Sequence, residues 1–199
     1  MTVPTAHVPD HHGGFRATEY AHIVLRTAQP EALVEWYCAV LGMQVAVRTP
    51  LISMLTWDHS QDRLAITPTP GAVAPPANAT GLHHAAFSVA SLRELCDQYR
   101  SLKAQGIAPL RAYNHGVATS MYYADPDGNE IELTVEAFPS VEALNDWFAT
   151  GAFDTNPVGV SIDPDDLCAR VDAGEPETEI LKPHPDHLTW LQDQLKGAV

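Results

Sequence analysis

Apolar and polar positions along this chain change period in a fixed order, and the order occurs twice. His22-Ile-Val-Leu-Arg-Thr27 is β-branched and unbroken, which predicts a strand. After Pro30, a residue suited to a first helical turn, Leu33, Trp36, Tyr37, Val40 and Leu41 fall at i, i+3, i+4, i+7 and i+8. That spacing is one apolar face of a helix, and Gly42 ends it. Three short strands are predicted next, at Gln44–Thr49, Leu51–Trp57 and Arg63–Thr67. The same order then returns. His84–Val89 reads as a strand, Ser91 with Glu94 as a capping box, and a helix runs to about Gln105 before Gly106. Strands follow near Ile107–Arg111, Thr119–Ala124 and Asn129–Val135.

Two βαβββ units are therefore expected, at 19–67 and 81–136, joined by a Pro-rich linker at 68–80 that cannot support a sheet ladder. The repeat holds residue by residue. His22 and His84 open their units, Leu33 and Leu95 lie eleven residues on, and Tyr37 and Tyr99 fifteen. Residues 1–18 are rich in Pro, Gly and His and read as a flexible tail, with His7, His11 and His12 in solvent. Residues 137–199 form an acidic helical tail. Helices are expected from Pro139-Ser140 to Phe148, after Asp163-Pro164, and at His187–Leu195. Phe138, Trp147, Phe148, Phe153 and Trp190 should pack it on the core or on a neighbouring subunit, which favours a homodimer or higher homo-oligomer.

Composition narrows the class. The net charge of −14 argues against nucleic acid. From Glu136 onward 13 acidic residues face 3 basic ones, so that tail carries −10 of the total and should be mostly solvated surface. No run of about 18 apolar residues predicts a membrane span, and the first residues lack the pattern of a secretory signal. Cys38, Cys96 and Cys168 are odd in number and widely spaced, which fits neither a disulfide framework nor a Cys-based metal site and suits a reducing cytoplasm.

Strand alternation decides which side chains share a face. With Ile23 and Leu25 turned to the helix, His22, Val24 and Arg26 occupy the open face. With Ala85, Phe87 and Val89 inward, His84 joins that set, and with Ile131, Leu133 and Val135 inward, so does Glu132. His83 falls on the helix-facing side and ranks behind His84. Two neutral imidazoles and one carboxylate with open positions left over form the facial triad suited to iron(II) and dioxygen.

The stretch His115, five residues, Met-Tyr122, two residues, Asp-Pro-Asp-Gly, three residues, Glu132 carries a resemblance. It is similar to the signature of the type I extradiol ring-cleaving dioxygenases, within the vicinal oxygen chelate superfamily. The resemblance spans about residues 18 to 170, including Asn156-Pro-Val-Gly-Val-Ser-Ile-Asp-Pro. Tyr113 departs from the small or aliphatic residue usual at the first signature position. The resemblance implies an α+β fold whose paired modules form a cupped mixed sheet around a metal. It implies Fe(II), less often Mn(II), held by His22, His84 and Glu132, with a catechol-type aromatic diol and O2 as substrates. It gives Tyr122 a substrate oxygen to hydrogen-bond and His115 the task of orienting substrate or bound oxygen.

Two positions depart from that pattern or refine it. The family's acid–base His, just before the strand that closes the first unit, aligns with Asp62, with His59 three residues earlier. Either could donate the proton, Asp62 only with a raised pKa. Ala65 stands opposite Glu132 in the repeat, where glyoxalase-like members carry a ligand. An oxygen-independent isomerase or lyase of the glyoxalase-like branch is the first rival, and a metal-free antibiotic-binding protein the second.

Overall fold

The structure, a computed structural model, describes residues 17, 19–76 and 78–182. The expectations placed on His7, His11, His12, Trp190 and His187–Leu195 lie outside the described residues.

The first four strands are β1 (Ile23–Thr27), β2 (Gln44–Arg48), β3 (Ser53–Thr56) and β4 (Leu64–Pro68), with α1 (Pro30–Leu41) after β1. They form a mixed sheet in the order β1-β4-β3-β2. The β1/β4 pair is parallel, and the other two pairs are antiparallel. The helix starts on Pro30, whose missing N–H costs nothing in a first turn, and stops at Gly42, which adopts φ 63°. Leu33, Trp36, Tyr37 and Val40 are buried, as the spacing predicts, while Leu41 at the end of that stripe is only half-buried and Val34, outside it, is buried. The helix α1 lies against β4, where Leu64 and Ile66 are also buried. Removing a buried Leu such as Leu33 would cost roughly 2–5 kcal/mol.

A second sheet contains β5 (His84–Ser88), β6 (Arg111–Asn114), β7 (Ala118–Ala124) and β8 (Glu130–Glu136), with α2 (Leu92–Ala104) after β5. Its order, β5-β8-β7-β6, repeats that of the first sheet. The Ser91 hydroxyl accepts from the Glu94 N–H at 3.1 Å, so the expected cap is made. One strand is displaced from its predicted place. Residues 107–110 stay irregular and β6 begins at Arg111, because Pro109 has no N–H to give a ladder.

The C-terminal region is helical: α3 (Val141–Ala149), α4 (Ala152–Thr155), α5 (Pro164–Asp172) and α6 (Glu177–Ile180), with a two-residue strand, β9 (Val160–Ser161), that extends the second sheet beside β6. Ser140 and Asp163 cap α3 and α5 by accepting backbone N–H bonds. Phe153 meets Trp147 and Phe148 edge to face, and Trp147 lies tilted against Phe148 and Phe138. The acidity of this region is only partly free surface. Arg93 and Arg100 of α2 pair with Asp172, and Lys103 pairs with Asp165 at 2.6 Å. All three cysteines are free thiols, with Cys96 and Cys168 buried.

Two compact units result. Of the described residues, one unit holds those up to Ala85 together with Ala124–Ile131, and the other holds Ala86–Tyr123 together with 132–182. The Asp-Pro-Asp-Gly turn belongs to the former. Asp125 receives the Tyr37 phenol at 3.1 Å, and Gln29 donates to Asp127 at 2.7 Å.

Candidate functional site

His22 and Asp62 are brought together by strand register. Ile23 sits opposite Leu64 in the parallel pair, and its N–H donates to the Arg63 carbonyl at 3.1 Å, so the residues just before each strand are neighbours. His22 Nδ1 lies 3.3 Å from Asp62 Oδ2. The carboxylate is buried while the imidazole is nearly half exposed. Arg63 anchors this entry by donating to the Tyr20 carbonyl at 2.8 Å and to Asp58 at 3.0 Å. The Asp58 carboxyl is held well below its usual range by the Ser60 backbone N–H and by Arg63. His59 stands exposed in the loop between β3 and β4.

His84, at the head of β5, sets its Nδ1 2.7 Å from Nδ1 of His83. One of these nitrogens must carry the hydrogen, so each ring fixes the tautomer of the other. Along β5, Ala86 and Ser88 are exposed and Phe87 half-buried, as the alternation predicts, while His84 at its head is half-buried like Ala85.

Tyr122, His115 and Glu132 form a second group, on β7, the turn after β6, and β8. The Tyr122 hydroxyl donates to Glu132 Oε1 at 2.8 Å and lies 2.9 Å from His115 Nε2. Ser120 meets Thr134 on the same strands. As one index rises by two the other falls by two, which is antiparallel pairing and explains why Tyr122 faces Glu132. His115 Nδ1 contacts the Val158 carbonyl, which can only accept, so Nδ1 carries a hydrogen. Glu132 is 8% exposed, deep enough for its neighbours rather than water to govern it.

Residues that periodicity does not single out complete this group. The Arg111 guanidinium lies 4.3 Å from the centre of the Tyr122 ring, a cation–π contact set by their cross-strand pairing. Asn156, 1% exposed, accepts from the N–H groups of Val158 and Gly159 and donates to the Gly159 carbonyl, shaping the loop that offers its carbonyl to His115. Gly159 has φ +98°, and a Cβ there would fall 2.3 Å from the Asn114 carbonyl oxygen. Only glycine fits. A sequence signal for these residues existed in Asn156-Pro-Val-Gly159, but its contact with His115 required the fold.

Among the described residues, no three His, Cys, Asp or Glu side chains are gathered as a formed ion site. A cleft of about 620 Å³, lined by Asn114, Asp166, Leu167, Arg170, Ile180 and Lys182 among others, includes none of the predicted site residues.

Comparison with known proteins settles the family. Residues 19–133 match the glyoxalase/bleomycin resistance protein/dioxygenase superfamily. The chain belongs to this superfamily. It is 38% identical over 163 residues to biphenyl-2,3-diol 1,2-dioxygenase 2 of Rhodococcus globerulus, covering 81% of this chain and 86% of that protein. It is 39% identical to biphenyl-2,3-diol 1,2-dioxygenase 3 of the same organism, covering 80% and 85%. The crystal structure of a glyoxalase/dioxygenase from Nostoc punctiforme superposes with a TM-score of 0.51 at 19% identity, covering 60% of this chain and 91% of that one, which supports the shared fold.

Proposed function

We propose that this member of the superfamily is an extradiol dioxygenase that opens the ring of a catechol-type diol with O2. The observation that carries the reading is the Tyr122–Glu132–His115 hydrogen-bonded group, in a chain matched over most of its length by two biphenyl-2,3-diol dioxygenases. His22, His84 and Glu132 would hold the metal, Fe(II) first and Mn(II) second. Their chemistry fits such an ion: two imidazoles and one carboxylate are the borderline-hard donors that divalent iron accepts. Ala65, the position matching Glu132 in the first sheet, offers no donor, which favours three protein ligands over four.

The bound ion would supply a Lewis acid that acidifies the diol and a place for O2. The remaining work falls to the chain's own groups. The single hydroxyl hydrogen of Tyr122 goes to Glu132 Oε1 here; with a diol bound, the same hydroxyl would turn that hydrogen to a substrate oxygen. His115, its Nδ1 hydrogen directed at Val158, keeps Nε2 aimed at the Tyr122 hydroxyl and hence at the same point. Arg111 lies against the Tyr122 ring and limits its rotation.

Reconstitution with Fe(II) under anaerobic conditions, followed by biphenyl-2,3-diol or catechol and oxygen, should give stoichiometric oxygen uptake and a yellow ring-opened product. Bound iron without oxygen uptake across a broad diol panel would end this reading. Turnover of an α-hydroxy ketone or thiohemiacetal without oxygen would replace it with the isomerase or lyase branch.

A further inference from the structure

We propose that Asp62 is a positioning residue that orients His22 through Nδ1, rather than the proton donor of the reaction. The inference rests on the reading of His22 as a metal ligand and adds the group that prepares it.

Asp62 Oδ2 is a buried carboxylate oxygen with no hydrogen-bond partner among the described residues. Leaving such an oxygen unpaired costs about 1–3 kcal/mol, more for a charge, so a donor is expected. The donor placed against it is His22 Nδ1 at 3.3 Å, a small ring rotation from a good hydrogen bond. The backbone makes the arrangement stiff. The Ile23–Leu64 register fixes both strand entries, and Arg63, next to Asp62, grips the carbonyl of Tyr20, two residues before His22.

Chemistry then chooses the tautomer. A carboxylate can only accept, so His22 bears its hydrogen on Nδ1, and the lone pair of the neutral ring belongs to Nε2. A buried carboxylate behind an imidazole, with the ring itself nearly half exposed, is the arrangement that orients a histidine for a metal and raises its basicity. A proton donor must instead reach the reacting oxygen. Asp62 has its carboxylate at 8% exposure, behind the His22 ring.

Long-range proton–nitrogen NMR on the full-length apoprotein, with His22 assigned by its loss in His22→Gln, tests the tautomer directly. The expected result is a hydrogen on Nδ1, and a hydrogen on Nε2 would overturn the proposal. In Asp62→Asn, Mn(II) affinity by chelator competition should fall roughly 10–100-fold. At saturating Fe(II), turnover should fall less than tenfold with the wild-type pH profile. Unchanged Mn(II) affinity, joined to a 10²–10⁴-fold loss of turnover and a missing pH limb, would make Asp62 the acid–base group instead. Should Asp62→Asn not fold, the wild-type tautomer decides alone. His22→Ala and Glu132→Ala separate the two readings. If both bind Mn(II) like the wild type, the metal assignment fails, while the tautomer result still reports on the Asp62–His22 contact.

Discussion

At the scale of single residues, the molecule depends on a few positions with no substitute. Gly159→Ala puts a side chain at φ +98° and onto the Asn114 carbonyl, so a destabilisation of at least about 2 kcal/mol is expected from urea unfolding. The same variant should disturb His115, whose Nδ1 partner is the preceding carbonyl, that of Val158. Tyr122→Phe removes the donor to Glu132 Oε1 while keeping the ring that meets Arg111. Its stability cost should be about 1–2 kcal/mol. Turnover should fall further, roughly 10²-fold, the size seen when one hydrogen-bond donor leaves a reaction centre. A loss confined to stability would show that Tyr122 serves the sheet alone. Tyr37 is a contrasting phenol. Burial first and the Asp125 carboxylate second push its pKa far above the ordinary range, so it remains a donor at every accessible pH. Tyr37→Phe should loosen the Asp125–Asn129 turn without a pH dependence of its own.

At the scale of elements, α5 is bound to α2 by charge. Lys103 holds the Asp165 carboxyl below its usual range by a hydrogen bond, aided by Tyr99, and Arg93 does the same for Asp172. A carboxyl depressed in the folded state adds stability above its unfolded pKa, near 3.9, and loses it as pH falls through the folded value. The docking contribution should therefore be constant from neutral pH down to about 4 and disappear below. Because these groups are largely exposed, it should also weaken with salt. Thermal melts of wild type and the double variant Asp165→Asn, Asp172→Asn would show this as a steeper acid limb in the wild type. Parallel curves at every pH would mean that apolar burial of Leu167 and Val171 holds α5 by itself. The β6 boundary shows the same dependence of an element on its partners. Residues 107–111 have strand-forming character, yet the register with β7 starts only at Arg111 opposite Tyr122, just after Leu110 gives its N–H to the Tyr122 carbonyl at 2.7 Å.

At the scale of the whole molecule, metal binding should stabilise the fold by mass action. An ion at 100 times its Kd adds about 2.7 kcal/mol. Melting temperature should thus rise with Mn(II) or Fe(II) in the wild type and stay flat in His22→Ala and Glu132→Ala. An equal rise in all three would place the ion elsewhere. Superfamily membership sets the fold, and relatives named as diol dioxygenases narrow the reaction to be tested. Which ring substituents suit the chain is a matter for the diol panel.

Much of this organisation was legible in residue order. Helix and strand periods are local properties of a chain, so α1, α2, their caps and the matched His22 and His84 follow from spacing alone. The alternation that sets His22 and Glu132 apart from their apolar neighbours is equally local. What the tertiary structure decided are pairings between distant strands. Asp62 was a candidate proton donor by alignment, and only the parallel β1/β4 register places its carboxylate behind His22. The spacing of Tyr122 and Glu132 suggested a shared site, while the antiparallel β7/β8 pairing made them hydrogen-bonded partners. His115 met Val158, 43 residues away, because Asn156 and Gly159 bend the intervening loop in a way no periodicity records. Periodicity fixes which way a side chain points; long-range hydrogen-bond register fixes what it meets.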